Sequence, residues 1–331
     1  MASLPIVAII AAYNEEDIIG QVVADFAAQG VSVFLIDHAS TDGTVDAVEP
    51  WRGRGLLGIE RFPPDGGDPR DAERYPWADI LRRKEALARE LDAAWLIAND
   101  ADEFRESPWA ELTLAEAIAR VDRAGYNAID SARFDFWPVD DAYRPGDDVR
   151  QRLRFWEEPP AHDRVQIRCW KKQRGPVDLV SSGGHEAIFP GRKVFPLRFV
   201  LRHYPIRSQD HGERKVFRER RPRFIPEERA RGWHIQYDRL AGRGSFLRDP
   251  KTLTPWDPEA VRVALMLGHR GVEDLERTLE AERDAHRIEL ERYAADLEET
   301  TKRLAATYAS RSWRWTAPLR AAWRTLTGRP T

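Results

Sequence analysis

Two carboxylates, Asp100 and Asp102, stand two residues apart at the end of the apolar run Trp95-Leu96-Ile97-Ala98. Carboxylate oxygens at that spacing suit Mg²⁺ or Mn²⁺, which keep waters and bind substrate phosphates beside one or two protein carboxylates. Such a cation acts as a Lewis acid, neutralising a diphosphate as it departs. A plainer use of the same residues is an acidic helix start, with Asp102 and Glu103 facing the dipole of a following helix. The D-x-D pattern is short and common, so its setting has to decide. A second group is basic. Residues 202–223 hold eight Lys/Arg against three Asp/Glu. Arg207, Arg214, Lys215 and Arg218 can close over a pyrophosphate, because guanidinium forks match phosphate oxygens. A solvated basic helix is the alternative.

The elements that would position these groups alternate between strand and helix. Residues 6–11 form a continuous apolar run, the pattern of a parallel strand covered on both faces. Residues 15–29 have helical spacing and stop at Gly30, a suitable C-cap. Residues 31–36 read as a strand, 44–51 as a helix, 57–61 as a strand, 82–91 as a helix and 94–98 as a strand. This series predicts an α/β fold with a mostly parallel, helix-covered sheet. Ligands of such sheets sit beyond the carboxyl ends of the strands. Tyr13-Asn14, Asp37-His38 and Asp100-Ala101-Asp102 all fall there, so three polar clusters converge on one crevice. Shorter β-like pieces follow at 128–134, 166–170, 187–189 and 199–203, read as the acceptor half of the same domain. Gly53-Arg54-Gly55-Leu56-Leu57-Gly58 matches a dinucleotide fingerprint literally, but it lies between a helix and a strand and reads as a loop.

The ordered segments Ile9-Ile10-Ala11-Ala12-Tyr13-Asn14-Glu15-Glu16, Leu35-Ile36-Asp37-His38-Ala39-Ser40-Thr41-Asp42-Gly43-Thr44 and Asn99-Asp100-Ala101-Asp102-Glu103-Phe104 resemble the signature of family 2 glycosyltransferases. The likeness is to the bacterial branch with a D-x-D-E-F motif. It implies a GT-A (Rossmann-like) domain that moves a sugar from a nucleotide-sugar donor to a glycan or lipid-linked hydroxyl acceptor. Cell-surface polysaccharide synthesis is the implied setting. It further implies that Tyr13, Asn14 and Glu15 border the donor nucleotide and that Asp37 holds its base or ribose. Lys84 would approach the phosphates, and Asp100 would engage the diphosphate. Asp100, Asp102 and His203 would hold Mn²⁺ or Mg²⁺. His38 stands where many members carry a second Asp or Asn, which leaves base preference open. Arg207 from the basic segment joins the donor set. For removing the acceptor proton the candidates are Glu186 and its neighbour His185, with Asp178 behind them.

These residues define a domain over 1–240, followed by a linker and short helix over 241–270. A long helix or short coiled coil spans 271–308, and a Trp/Arg-rich amphipathic tail spans 309–331. The seam Leu290, Tyr293, Leu297 and Leu304 allows a homodimer through the helix. After Glu299 there is no acidic residue and there are seven basic ones, interleaved with Trp313, Trp315 and Trp323, which suits an anionic membrane interface. A net charge of −3 and the lack of any RRM or KH pattern argue against nucleic acid. One cysteine excludes an internal disulfide, and no run of eighteen apolar residues occurs. The expected location is cytoplasmic, with peripheral contact at the inner face of the cell membrane. Two rival readings remain: a nucleotidyltransferase, although a Gly-rich basic loop after the first strand is missing, and a non-catalytic scaffold.

Overall fold

The computed structural model describes residues 4–64, 73–234, 236–242 and 244–327. The chain divides into two compact units, residues 1–269 and 270–331. In the first, β1 (Ile6–Ala12), β2 (Ser32–Asp37), β3 (Leu56–Arg61) and β4 (Trp95–Asp100) are parallel, in the order β3-β2-β1-β4. The connecting helices are α1 (Ile19–Ala28), α2 (Thr44–Val48) and α3 (Trp77–Glu90). Beyond β4 the same sheet continues through β5 (Glu103–Glu106), β6 (Ala128–Trp137), β7 (Phe155–Glu157), β8 (Cys169–Lys171), β9 (Val194–His203) and β10 (Thr254–Pro255). Pairings there are antiparallel except β6 with β9. This is the expected α/β architecture.

Strand periodicity explains how both faces are covered. Ile6, Ala8 and Ile10 of β1 enter one core with Val22, Val23 and Phe26 of α1. Leu114, Ile118 and Val121 of α4 (Leu114–Arg123) join that core. Val7 and Ile9 point the other way, into a second core with Leu81 and Leu87 of α3. Removing a side chain such as Ile10 from so close-packed a core costs about 2–5 kcal/mol. Two local devices fix helix ends. Gly30 (φ +77°) closes α1, with the Val31 N–H donating to the Phe26 carbonyl at 2.9 Å. Thr113 and Glu116 form a reciprocal capping box on α4.

Helix α1 begins at Ile19, four residues later than its apolar spacing suggests. The Glu15 N–H donates instead to Thr44 Oγ1 (2.8 Å), and the Glu16 N–H to Asp42 Oδ2 (3.3 Å). The turn before the helix is therefore tied to the loop after β2. Later helices are α5 (Val149–Arg152), α6 (Gln209–Glu213), α7 (Pro226–Ala230) and α8 (Gln236–Ala241), with a π-helical segment at Arg214–Arg220. The stretch read as a linker carries β10, which pairs with β7 at the sheet edge. Residues 187–189 contribute only an isolated bridge, Asp178 with Ile188. A single helix, α9 (Pro258–Ala309), covers the segment read as two helices, and α10 (Arg311–Trp315) and α11 (Ala317–Thr327) follow it.

Candidate active site

Register places the strand ends side by side. Ala12 of β1 pairs with Asp37 of β2, and Ala11 with Asp100 of β4. Beyond them opens a cavity of about 450 Å³, whose lining includes Tyr13, Glu15, His38, Asp100, Asp102 and His203. His185 lies on its wall as well. Tyr13, Glu15, Asp100, Asp102, His185 and His203, from segments as far apart as β1 and β9, therefore share one space.

Strand β9 runs between β5 and β6, so His203 is in register with Glu103 on one side and Asp135 on the other. His203 Nδ1 is 2.8 Å from Asp135 Oδ1, and Arg133 grips the same carboxylate at 2.6 Å. Burial alone would raise the Asp135 pKa, but Arg133 and His203 outweigh it and hold it at about 2. An ionised Asp135 accepts the Nδ1 proton and turns Nε2 toward Asp102. That nitrogen lies 3.6 Å from Asp102 Oδ1, too long for a hydrogen bond. Ligand bonds of about 2.1 Å set neighbouring ligands roughly 3–4 Å apart, so the pair can share one cation. A histidine oriented through its other nitrogen by a carboxylate is also the usual support of a metal ligand.

Asp100 does not complete a three-ligand set. Its Oδ2 receives Arg168 Nη1 at 3.0 Å, its Oδ1 lies 3.5 Å from Lys84 Nζ, and Arg168 also pairs with the buried Glu103. Burial opposes ionisation of Asp100, yet these cations keep its pKa well below the usual carboxylate value. Asp100, Asp102 and His203 do not bring three ligand atoms within 4.8 Å of one another, because basic side chains already hold Asp100. The group of described residues that does so is Glu15, Asp17 and His211. Its cation is already supplied. Arg207, fully buried, donates to Glu15 Oε2 (2.7 Å) and to both Asp17 oxygens (2.6 and 2.7 Å). His211 Nδ1 accepts the Arg207 backbone N–H at 3.2 Å, so its proton is on Nε2 and no ligating lone pair remains.

Arg207 is thus an internal clamp and does not line the cavity, contrary to its expected place on the donor. Of the four residues assigned to a basic flap, Lys215 reaches the cavity, accompanied by Arg220. Lys215 Nζ bridges Asp102 Oδ2 (2.8 Å) and Glu15 Oε1 (2.9 Å). Burial would lower its pKa, but the two carboxylates raise it overall, so it stays charged. Arg214 turns instead to Glu219.

On another wall the Arg223 guanidinium covers the Tyr13 ring at 3.7 Å, and Arg220 covers Tyr75 at 4.5 Å. His38 lies between these rings, 6.0 Å from Tyr13 and 6.2 Å from Tyr75. Asn14 (φ +53°) faces inward. Its amide donates to Glu219 Oε1 (3.0 Å) and its oxygen accepts from the Thr41 N–H (2.9 Å), so it shapes the loop. Asp37 likewise accepts from the Ser40 N–H at 3.2 Å. Lys84 donates to the Asn99 carbonyl at 2.8 Å beneath the site.

Glu186 does not line the cavity; its carboxylate pairs with Arg192 at 2.8 Å. His185 does, with Nε2 3.5 Å from Asp163 and Nδ1 3.1 Å from Gln166 Nε2. Gln166 Nε2 also donates to the Asp163 carbonyl (2.8 Å), which fixes the amide orientation. His185 Nδ1 therefore accepts and its Nε2–H faces Asp163. Asp135, Asp163 and Arg168 escaped sequence reading. Asp135 alone leaves a trace, the charged residues Asp130, Arg133 and Asp135 inside a strand that also carries Ile129, Phe134, Phe136 and Trp137.

Residues 7–61, β1 through β3, match the sequence model of glycosyl transferase family 2. No curated protein matches the chain. Solved structures similar to it include those of S. aureus TarS 1-349. In complex with UDP-GlcNAc, that protein is 15% identical over 51% of this chain and 45% of its own, with a TM-score of 0.30. In complex with UDP, the figures are 12%, 64% and 64%, with a TM-score of 0.36. The chain spans about half the length (47%) of TarS 1-349 crystallised alone.

Proposed function

We propose that this chain is a nucleotide-sugar-dependent glycosyltransferase of the family 2, GT-A type, transferring a sugar to a hydroxyl acceptor with Mn²⁺ or Mg²⁺. The observation that carries the proposal is the Asp135–His203–Asp102 alignment lining a strand-end cavity, in a chain whose residues 7–61 match that family's model. Asp102 and His203 would hold the cation, which when bound supplies Lewis-acid neutralisation of the leaving diphosphate. Lys215 and Arg220 add positive charge on the same side of the cavity. They are placed to receive phosphate oxygens if Lys215 leaves Asp102. Tyr13, His38 and Tyr75 offer ring faces to a nucleobase.

With Glu186 turned to Arg192, the acceptor's proton is assigned to Asp163, positioned by His185. The acceptor oxygen forms its bond to the sugar's anomeric carbon as the carbon–phosphate oxygen bond breaks. The released electron pair stays on the nucleoside diphosphate. The acceptor class is a glycan or lipid-linked sugar, in keeping with the aromatic side chains Trp137, Trp233 and Tyr237 on the cavity wall.

A panel of nucleotide sugars assayed for product with and without Mn²⁺ tests this reading. Metal-stimulated release of a nucleoside diphosphate is the expected result. Release of pyrophosphate from a nucleoside triphosphate supplied with a sugar 1-phosphate, in place of any turnover of nucleotide sugars, would make the protein a nucleotidyltransferase, and no turnover with either substrate set would favour a non-catalytic scaffold.

A further inference from the structure

We propose that helix α9 pairs with a second copy of this chain in antiparallel orientation, along a seam running from Leu290 to Leu304. The inference uses none of the cavity residues and holds or fails independently of the proposed activity.

Leu290, Tyr293, Leu297, Thr300 and Leu304 recur at alternate steps of three and four, all inside the one helix Pro258–Ala309. That repeat keeps them on one side of an unbroken helix and is the pattern of a coiled-coil seam. Leu290, Tyr293, Leu297 and Leu304 are 66%, 62%, 68% and 52% exposed. A helix in water draws most of its stability from packing an apolar face. This face therefore needs an occupant.

Charge identifies that occupant and its direction. Residues 290–299 hold four acidic side chains and one basic, whereas residues 300–309 hold two basic and no acidic ones. A parallel copy would lay acidic half on acidic half. An antiparallel copy lays each acidic half on a basic one. The edges of the seam discriminate further. Asp296 and Arg303 each precede a seam leucine, so they lie along the same edge. In an antiparallel pair like edges meet. Reversal about Glu298–Glu299 sets Leu297 against Thr300 and Tyr293 against Leu304 of the second copy. It also brings Asp296 of each copy opposite Arg303 of the other. In a parallel pair that edge would meet the opposite one, which carries Ala294, Thr301 and Tyr308 and no charge. Flanking charges of this kind set partner and orientation in coiled coils. Within its own helix Arg303 bridges Glu299 at 2.6 Å, but both side chains are well exposed, so the bridge is weak. A guanidinium with five donors can serve a second carboxylate as well.

The test is sedimentation of the full chain over a range of concentrations. The parent should show a reversible monomer–dimer equilibrium. Asp296→Arg and Arg303→Asp, made separately, each replace two attractive contacts per dimer with two repulsive ones. Each should raise the dissociation constant by about tenfold or more. An equimolar mixture of the two variants should recover the dimer as a heterodimer, because each chain then meets the opposite charge at both sites. The chain carrying both substitutions should recover it too. Recovery by mixing also shows that both variants fold. Three results would each overturn the proposal. They are a parent that stays monomeric at every concentration, single variants that dimerise as tightly as the parent, and a mixture that dimerises no better than either variant alone.

Discussion

Replacing Arg207 with Met separates two roles for this arginine: phosphate ligand or internal clamp. The guanidinium is fully buried and neutralises Glu15 and Asp17, whose side chains are 3% and 9% exposed. Removing one partner of a buried ion pair costs about 3–5 kcal/mol, because the remaining charges lose their compensation. At roughly 2–4 °C per kcal/mol for a domain of this size, Tm should fall by about 6–20 °C. The pH dependence gives a second signature. Burial raises the Asp17 pKa, but Arg207 more than reverses this and holds it below 3.8. In the parent protein, the stability due to Asp17 is complete above its unfolded pKa and is lost as pH falls through the lower folded value. In the variant burial is largely unopposed, the folded pKa rises, and ionised Asp17 becomes a penalty at neutral pH. The stability gap between the two proteins should therefore shrink as pH falls from 7 toward 4. Thermal melts across that range, with nucleoside diphosphate titrations below Tm, provide the assay. A Tm loss under about 2 °C, or a constant gap, would refute the clamp. So would unchanged stability with lost donor affinity.

Asp135→Asn should lower Mn²⁺ affinity by about 10–100-fold through misorientation of His203, as seen by titration calorimetry with the metal alone. Asp163→Asn should reduce transfer to acceptor by at least about 100-fold while donor binding persists, and Glu186→Gln should leave transfer within a few-fold; the reverse pattern would restore Glu186 as the base. Burial pushes the Cys169 thiol up to about 12, so iodoacetamide at pH 8 should label it only after unfolding, as mass spectrometry would show.

The parallel half of the sheet was legible because its central strands, β1 and β4, are buried on both faces. Uninterrupted runs such as Ile6-Val7-Ala8-Ile9-Ile10 leave little alternative, and their ends fix where polar residues gather. That is how strand ends alone place Tyr13, Asp100 and Asp102 in one crevice. His203 came from family likeness; its setting comes from β9 lying between β5 and β6, a long-range pairing without local periodicity. Arg207 and Glu186 show the opposite limit. A guanidinium near a proposed phosphate site looks the same in sequence whether it faces solvent or Asp17. A carboxylate beside His185 gives no sign that Arg192, six residues on, will claim it. Lys215 sits in a π-helical turn, whose extra residue shifts the face that helical spacing would assign.

The central claim is that Asp102 and His203 hold a divalent cation under a donor diphosphate. Crystals grown with Mn²⁺ and a nucleoside diphosphate, measured for manganese anomalous scattering, test it most directly. A single peak at coordination distance from Asp102 Oδ1 and His203 Nε2, with Lys215 moved from Asp102 to a phosphate oxygen, is the predicted result. A bound nucleotide with no peak there, and Lys215 still on Asp102, would contradict it.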